Sequence, residues 1–428
     1  MTVALLIGSL LALALLGVPL VFAILASAIL TLVVTRPGLP LEVVAQVFVG
    51  GIDSQVLLAI LFFFLAGELM NSGGITRRIV TFANTLVGHL RGGLGQVNIV
   101  TSVLFSGISG SAVADTAAVG TVMIPSMKER GYPADFSAAV TQASSIVGPI
   151  IPPSVPIIIY AVLAEQSIAE LFVAGILPGF LIALCLMATV YIISRRRGYQ
   201  RSARAGLGEV GASLVRALAA MLMPLIIVGG ILGGVMTATE AGAVAVLYAL
   251  VIGALGYREL TLRAVWRGVL RAATGTATVL VILGASSVFA WIVADQQINR
   301  QVAQAIFALS TDPLVVLLLI TLAGLLVGML MDPLAALIVM VPVFLPAAVQ
   351  IGVDPVHFGL VIVLTLMIGL CTPPVGYLIY LSAAIAQCRP EAVTRESLPF
   401  LAALVVALLL CVAVPAISLT LPAWFGYR

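Results

Sequence analysis

Oxygen-bearing side chains and glycines are concentrated in one short apolar stretch of the sequence. The stretch contains Ser106, Gly107, Ser109, Gly110, Ser111 and Asp115. Its hydroxyl groups are ligands for a small hard cation, and its glycines allow the chain to turn and to expose carbonyl oxygens. An ionisable side chain in apolar surroundings is itself a candidate for function. These residues therefore predict a sodium site, because sodium prefers oxygen ligands.

A second polar stretch ends in two adjacent prolines. It contains Ser144, Ser145, Gly148, Pro149, Pro152 and Pro153. Adjacent prolines remove two backbone donors and should interrupt a helix. The freed carbonyl groups can coordinate a cation, and the helix that resumes offers its positive N-terminus to an anion. The sequence thus predicts that the two stretches bind a cation and an anionic substrate together.

The same features recur in the second half of the chain, at Gly328, Asp332, Gly369, Thr372, Pro373 and Pro374. Asp115 and Asp332 are 217 residues apart, whereas Gly148 and Gly369 are 221 residues apart. We interpret the chain as an internal duplication with a small insertion. Broken apolar segments at matching positions of two halves indicate the binding site of a secondary transporter. The second copy lacks the serines, so its cation ligands are expected to be carbonyl groups and Thr372.

The acidic residues also have a structural interpretation. On that interpretation, Asp115 and Asp332 hydrogen-bond exposed backbone groups at hairpin turns and never meet an ion. Both interpretations of the two aspartates stay open from the sequence. Glu68, Glu240 and Asp295 are expected at helix interfaces or at helix ends.

The composition excludes a water-soluble protein. Hydrophobic residues make up 62% and charged residues 9% of the 428 residues, whereas about a quarter of the residues of a soluble domain are charged. We therefore expect an all-α polytopic membrane protein. Its apolar N-terminal stretch at 2–34 has no preceding Lys or Arg and is expected to be retained as membrane structure.

Residues for catalysis are few. The two histidines and four cysteines do not have metal-ligand spacing, and the sequence has no GxSxG or P-loop motif. We expect no enzyme activity, no catalytic residues, no cofactor and no transition metal. The energy for transport is expected to come from an ion gradient, with Na⁺ as the coupling ion.

Apolar segments long enough to cross a bilayer lie at about 51–70, 134–164, 170–194, 213–236, 238–257, 272–295, 356–386 and 398–424. Two longer blocks, at about 95–128 and 313–350, contain internal Gly, Pro or Ser. They are predicted to be re-entrant helical hairpins, which enter and leave the membrane on one face. The segments with adjacent prolines, 134–164 and 356–386, are predicted to be broken helices.

Basic residues predict the orientation of these segments, because cytoplasmic loops carry an excess of Lys and Arg. With the arginines at 195–197 in the cytoplasm, the first hairpin opens to the cytoplasm and the second to the outside. The duplication is therefore predicted to be inverted, with a first repeat at 1–205 and a second at 206–428. We expect the hairpins and broken helices to form a transport domain and the other helices to form a scaffold.

Basic residues at helical spacing also follow a membrane span in each half, at 77–91 and 258–271. These segments are predicted to be interfacial helices, with arginines among the lipid headgroups and apolar faces towards the acyl chains. An ordinary charged loop is the alternative.

Five motifs, taken in order, resemble the large membrane (permease) subunit of tripartite ATP-independent periplasmic (TRAP) transporters over essentially the whole chain. They are Ser-Gly-Ser-Ala-Val-Ala-Asp at 109–115, Ile-Pro-Pro-Ser at 151–154, Leu-Phe-Val-Ala-Gly at 171–175 followed by Pro178 and Gly179, Thr-Glu-Ala-Gly-Ala at 239–243, and Thr-Pro-Pro-Val-Gly at 372–376. The apolar second hairpin tip departs from the family pattern.

The resemblance implies the elevator-type ion-transporter superfamily fold and sodium-coupled import across the bacterial inner membrane. It implies two partners, a small four-helix membrane subunit and a soluble periplasmic substrate-binding protein. Because the large-subunit pattern begins near the start of the chain, the small subunit is expected to be a separate protein. Substrates of the family are organic anions with a carboxylate, such as dicarboxylates and sugar acids.

Three other functions fit parts of the sequence. A stand-alone anion and sodium symporter of the same superfamily would share the fold and lack the partners. A non-transporting membrane scaffold would have no use for two matched helix breaks at membrane depth, where unsatisfied backbone groups cost several kcal/mol each. A channel would also contain re-entrant loops, but hairpins that differ at their tips suit a moving carrier better.

Overall fold

The computed structural model describes residues 2–199 and 202–427, so Arg201 of the basic loop lies outside the described residues. Helices joined by turns make up the described chain. The first half contains α1 (Thr2–Leu15), α2 (Leu20–Thr35), α3 (Glu42–Ile52), α4 (Leu58–Ser72), α5 (Ile75–Val87), α6 (Gly93–Ser109), α7 (Ala112–Glu129), α8 (Ala134–Ser145), α9 (Val155–Leu163) and α10 (Ile168–Arg197).

The second half contains α11 (Leu207–Leu232), α12 (Ala238–Val251), α13 (Leu262–Asp295), α14 (Ile298–Leu309), α15 (Pro313–Leu330), α16 (Pro333–Gln350), α17 (Pro355–Gly369), α18 (Tyr377–Ala386), α19 (Pro390–Ala413) and α20 (Ala416–Trp424). Eight helical segments of the described chain are long and apolar enough to cross a membrane. Large apolar side chains such as Leu184, Leu225 and Leu247 are more than 60% exposed, which fits a lipid-facing exterior. The predicted all-helical polytopic membrane fold is confirmed.

Each of the two long apolar blocks forms a pair of packed helices, α6 with α7 and α15 with α16. The first pair turns at Gly110, which has a left-handed φ of 56°, and Ser111 caps the helix that follows. The second pair turns at Asp332, which caps α16 and is followed by a proline in the first helical turn. Such N-caps satisfy backbone donors that a new helix leaves free. The predicted helical hairpins are confirmed as helix pairs.

The two predicted helix breaks are also present. The chain leaves the helical path at 146–154, between α8 and α9, and at 370–376, between α17 and α18. Both proline pairs, Pro152–Pro153 and Pro373–Pro374, have a cis peptide bond. After the first break, the Ser154 hydroxyl caps α9 by accepting from the Ile157 N–H at 3.3 Å.

The helix boundaries correct the register of the duplication. Helix α7 runs from Ala112 to Glu129 and α16 from Pro333 to Gln350, a displacement of 221 residues at both ends. This matches the spacing of the glycines and prolines at the helix breaks. The equivalent of Asp332 is therefore the N-cap residue Ser111, and pairing Asp332 with Asp115 at a spacing of 217 was wrong, because Asp115 lies one turn inside α7.

The prediction of a separate interfacial helix at 258–271 was also wrong. Residues 258–261 are not helical. From Leu262 onwards the segment is the first part of the continuous helix α13, which Thr261 caps by accepting from the Ala264 N–H at 3.2 Å. In the first half, α5 does form a separate helix, with Ile79 buried and Arg77 exposed. Its counterpart after α13 is the short helix α14.

Three apolar segments differ in detail from the sequence prediction. The N-terminal stretch is two helices, because Gly17 takes a left-handed φ of 79° and Pro19 precedes α2. The segment predicted at 51–70 is preceded by a separate helix, α3, which the prediction missed. The segment predicted at 398–424 is divided between α19 and α20 at Val414, just before a proline.

The acidic residues expected at interfaces and helix ends lie there. Glu240 completes a capping box with Thr237 at the start of α12. Asp295 pairs with Arg36 at 3.0 Å, and Glu68 of α4 pairs with Arg271 of α13 at 3.3 Å.

An ion pair joins the last turn of α10 to α19. Arg197 Nη1 and Nη2 donate to the two carboxylate oxygens of Glu396 at 2.8 and 2.9 Å, and the guanidinium group lies 5.8 Å from the centre of the Phe136 ring. Bidentate pairs of this kind are stronger than single charge contacts. Because these residues are partly exposed, we expect Arg197→Gln to destabilise the protein by only about 1 kcal/mol.

A thermal unfolding measurement in detergent checks this expectation. Arg197→Gln should lower the melting temperature by about 2 °C, whereas Arg196→Gln, at the exposed neighbouring position, should leave it unchanged. Equal effects of the two substitutions would show that the pair with Glu396 does not stabilise the junction of α10 and α19.

Candidate functional site

Both hairpin turns and both helix breaks meet at one small cavity. Its volume is about 80 Å³. Its wall contains Gly110 and Ser111 from the first turn, Asp332 from the second, Pro149 from the first break and Leu370 from the second. The structure thus brings together polar stretches that lie more than 200 residues apart in the sequence.

Two larger cavities adjoin this meeting point. One, of about 330 Å³, shares Ser111 and Val113 with it and extends between the first hairpin and helices α4 and α13. The other, of about 350 Å³, shares Asp332 and Leu370 with it and extends to Tyr377 at the start of α18. Volumes above about 300 Å³ suit a small organic molecule, so the hairpin turns lie where a substrate has room to bind.

Glycines allow the turns and the breaks to touch through their backbones. A Cβ atom on Gly110 would lie 2.5 Å from the carbonyl oxygen of Pro153, and one on Gly369 would lie 2.4 Å from the carbonyl carbon of Gly328. Gly107 of α6 lies close to a side chain instead, because a Cβ atom there would be 2.4 Å from the ring of Pro224 in α11. A side chain at Gly110 or Gly369 would separate a hairpin from the break beside it.

Asp115 lies inside the protein among hydroxyl groups of three helices. Its side chain is fully buried, and its Oδ2 accepts a hydrogen bond from Ser102 Oγ at 2.8 Å. Ser102 Oγ lies 3.1 Å from Ser144 Oγ, which in turn lies 3.1 Å from Asn98 Oδ1. Asn98 Nδ2 donates to Thr141 Oγ1 at 2.7 Å. Three helices, α6, α7 and α8, therefore contribute to one buried polar network.

The second carboxylate oxygen of Asp115 has no hydrogen-bond partner in the part of the chain that the structure describes. The same is true of the neighbouring hydroxyl of Thr116 and of the Thr101 hydroxyl on α6. A buried charge without compensation is costly, so this oxygen is suited to a cation or a proton. The structural interpretation, in which the aspartate hydrogen-bonds exposed backbone groups, does not hold for Asp115, because the hydrogen-bond donor to its side chain is the Ser102 hydroxyl.

Asp332 has the role that the structural interpretation assigns. Its Oδ1 accepts from the backbone N–H groups of Leu334 and Ala335 at 3.0 and 3.4 Å. The side chain is nevertheless exposed at the cavities. Asp332 therefore caps a helix and presents negative charge at the second hairpin turn, whereas Ser111 presents a hydroxyl at the first.

The predicted hydroxyl ligands fall into two groups. Ser106 and Ser145 donate to carbonyl groups of their own helices at 2.6 and 2.8 Å, and Thr372 in the second break donates to the carbonyl group of Ile368 in α17 at 2.7 Å. Ser109 and Ser111 both line the 330 Å³ cavity, and in the described chain the buried Ser109 hydroxyl has no hydrogen-bond partner. The first hairpin turn thus places two hydroxyl groups in the wall of this cavity.

The sequence analysis missed three polar members of the site, Asn98, Ser102 and Thr141. Asn98 and Ser102 are four residues apart on α6, and Thr141, Ser144 and Ser145 have helical spacing on α8. Polar residues repeated on one face of an apolar helix could have indicated the network, because residues three and four apart share a helix face.

The family model described as "Tripartite ATP-independent periplasmic transporter, DctM component" matches residues 7–417. The chain is 43% identical over 412 residues to the sialic acid TRAP transporter large permease protein SiaM of Vibrio cholerae, with 96% of each chain covered. It is 39% identical over 404 residues to the isethionate TRAP transporter permease protein DctMQ of Oleidesulfovibrio alaskensis, with coverage of 94% of this chain and 64% of that protein.

A solved structure, that of the Alcanivorax borkumensis YdaH transporter, shares the fold. The two have a TM-score of 0.60 and 17% sequence identity, and the match covers 90% of this chain and 87% of the other. This similarity supports a polytopic membrane transporter fold.

Proposed function

Because the chain belongs to the tripartite ATP-independent periplasmic (TRAP) transporter family as its large permease subunit, DctM, we propose that it imports a carboxylate-bearing organic anion together with sodium ions. Members of this family are transporters and not enzymes, and the chain is a multi-pass protein of the bacterial inner membrane. Sodium coupling, the transport motion and the individual partners are parts of the proposal.

One observation carries the proposal: both hairpin turns and both helix breaks meet at one cavity, and the buried carboxylate of Asp115 lies one helical turn after Ser111 in its wall. Asp115 Oδ1 has no partner in the described residues and lies among oxygen-bearing side chains, which suits Na⁺. The hydroxyls of Ser109 and Ser111, with the first N–H groups of α7, suit the carboxylate of the substrate. Cation and anion then neutralise each other within the membrane.

We assign the transport motion to the hairpins and broken helices. Elements of the two halves pack against each other within this group, α18 against α7 and α8, and α9 against α16 and α17. Outside it, α4 packs against α12 and α13. On an elevator mechanism the first group moves across the membrane as one body, and the second group stays in place as the scaffold. The two repeats, 1–205 and 206–428, are proposed to have inverted orientations.

Two partners complete the proposed system, a small four-helix membrane subunit and a soluble periplasmic protein that delivers the substrate. The names of the relatives indicate the chemistry of the cargo. Sialic acid carries a carboxylate and isethionate a sulfonate. Both are small organic anions, which is the class that the hydroxyl groups and helix N-terminus of the first hairpin suit.

The test is uptake into proteoliposomes that contain this chain and the small subunit of its own system. Labelled sialic acid, succinate and isethionate are supplied outside with the periplasmic binding protein, with and without an inward sodium gradient. Uptake that requires both sodium and the binding protein supports the proposal. Sodium-driven uptake without the binding protein would instead indicate a stand-alone symporter, and a lack of uptake of every anion would contradict the proposed substrate class.

The double substitution Ser109→Ala and Ser111→Ala tests the role of the first hairpin turn. Loss of hydrogen bonds to a charged ligand should raise the anion concentration for half-maximal uptake by about tenfold. Ser126→Ala on the same hairpin is the matched control, because the Ser126 hydroxyl donates to the carbonyl oxygen of Val122 in its own helix. Unchanged concentration dependence in the double variant would remove these serines from the substrate site.

A further inference from the structure

The 330 Å³ cavity beside the first hairpin contains a pair of charged side chains that the proposed hairpin site does not use. On one side of the cavity lie Ser109 and Ser111 of the hairpin. On the other side lie Glu68 and Asn71 of α4 and Arg271 of α13. Cationic, anionic and hydroxyl groups therefore border one space that is large enough for a small organic molecule.

The ion pair in this cavity is weakly held. Arg271 Nη1 lies 3.3 Å from Glu68 Oε2, and the two side chains are 68% and 28% exposed. Exposed pairs of this kind contribute little to stability. In the described chain, no second acceptor binds the Arg271 guanidinium, so most of its donors remain available. A guanidinium group binds carboxylates and other oxyanions through two parallel hydrogen bonds.

Small residues hold this arginine in the cavity wall. Helix α13 lies close against α4, since a Cβ atom on Gly268 would be 3.6 Å from Leu69 and one on Gly275 would be 3.6 Å from Phe64. Ala272, next to Arg271, is buried in the same contact. The backbone of Arg271 is thereby fixed, while its long side chain can turn between Glu68 and the cavity.

The opposite wall points to an anionic ligand independently of the arginine. Ser109 is 5% exposed, and its buried hydroxyl has no hydrogen-bond partner among the described residues. Ala114 and Ala117, in the first two turns of the 18-residue helix α7, line the same cavity. The N-terminus of such a helix carries a partial positive charge.

We propose that Arg271 is a second binding point for the acidic group of the transported anion, on the scaffold side of the cavity. This inference rests on the proposed transport of an organic anion. An anion that leaves the first hairpin turn displaces Glu68 from Arg271, and Glu68 takes the guanidinium back when the anion departs. Arg271 is thus a transfer point between the hairpin site and the open end of the cavity.

Three single substitutions test this inference in the complete transport system. Arg271→Gln should raise the concentration of sialic acid for half-maximal uptake by about tenfold. Glu68→Gln removes the competing carboxylate, and should lower that concentration while slowing the maximal rate, because the anion then leaves Arg271 more slowly. Arg267→Gln, one helical turn earlier on α13 and away from the cavity wall, should leave both values unchanged.

A second measurement does not depend on transport. Ala117→Cys places a thiol in the cavity wall, and mass spectrometry of its peptide reports its labelling by an anionic and a cationic methanethiosulfonate reagent in detergent. Addition of Arg271→Gln should lower the ratio of anionic to cationic labelling by about fivefold, and addition of Arg267→Gln should not change it.

The two measurements separate failure of this inference from failure of the proposed function. Normal wild-type uptake with equal behaviour of the Arg271 and Arg267 variants would overturn the role of Arg271 and leave the proposed function standing. Absence of wild-type uptake would contradict the proposed function, and the labelling ratio would still decide whether Arg271 attracts anions into the cavity.

Discussion

Replacement of Asp115 by Asn should abolish sodium-driven uptake if the proposed function is right. The rate should fall by more than about 100-fold, because the buried polar network among the described residues loses the negative charge of Asp115. Asn has the same size as Asp and keeps an oxygen that accepts from Ser102. The substitution therefore removes the charge and preserves the packing of α6, α7 and α8. Binding of radioactive sodium to the purified protein should be lost together with uptake.

A control on the same helix makes this result specific. Thr121 lies on α7, and its hydroxyl donates to the carbonyl oxygen of Ala118 at 3.1 Å. Thr121→Ala should retain both sodium binding and uptake. If Asp115→Asn transports with unaltered sodium dependence, the carboxylate has a structural role only and the sodium site must lie elsewhere.

A second large effect is expected from Gly369→Ala at the second helix break. The added methyl group would lie 2.4 Å from the Gly328 carbonyl carbon, which belongs to the backbone and cannot turn away. We expect a destabilisation of more than about 3 kcal/mol, because overpacking against backbone forces a helix to shift. Size-exclusion chromatography of the protein after heating should show a lower melting temperature and a reduced yield of monodisperse protein.

Gly229→Ala is the matched comparison for this substitution. Gly229 lies in α11, and a Cβ atom there would have no neighbour within 4 Å. Because alanine favours a helix more than glycine does, by up to about 1 kcal/mol, this variant should be as stable as the wild type or slightly more stable. Comparable losses of stability in both variants would show that the close contact between Gly328 and Gly369 is not the cause of the destabilisation.

The helix pairs and the helix breaks were predictable from the sequence because their causes are local. Adjacent prolines interrupt a helix wherever they occur, and an apolar block too long for one crossing must turn. The separate helix α5 could also be predicted, because basic residues at helical spacing are a local pattern. The continuation of α13 through its basic first turns could not, because its packing against α4 depends on Gly268 and Ala272 meeting a helix distant in sequence.

The site was predictable as a set of stretches and less so as a set of contacts. The prediction gathered the right turns and breaks, but it matched Asp115 with Asp332 by residue type. The backbone pairs Asp332 with Ser111, because both are N-caps at a hairpin turn. The hydroxyl network around Asp115 was missed because Asn98 and Ser102 have no motif of their own and acquire a role only when α8 lies beside α6.

The unequal caps of the two hairpins have a consequence for the order of events. The turns meet at one cavity, yet one presents the neutral hydroxyl of Ser111 and the other the carboxylate of Asp332. An anion that reaches this cavity before any cation is repelled at short range by the Asp332 carboxylate. A cation bound beforehand would offset that repulsion. On the proposed function, the cation therefore binds before the anion. Its positive charge lowers the barrier that the anion must cross to bind, so the order of binding affects the rate of transport.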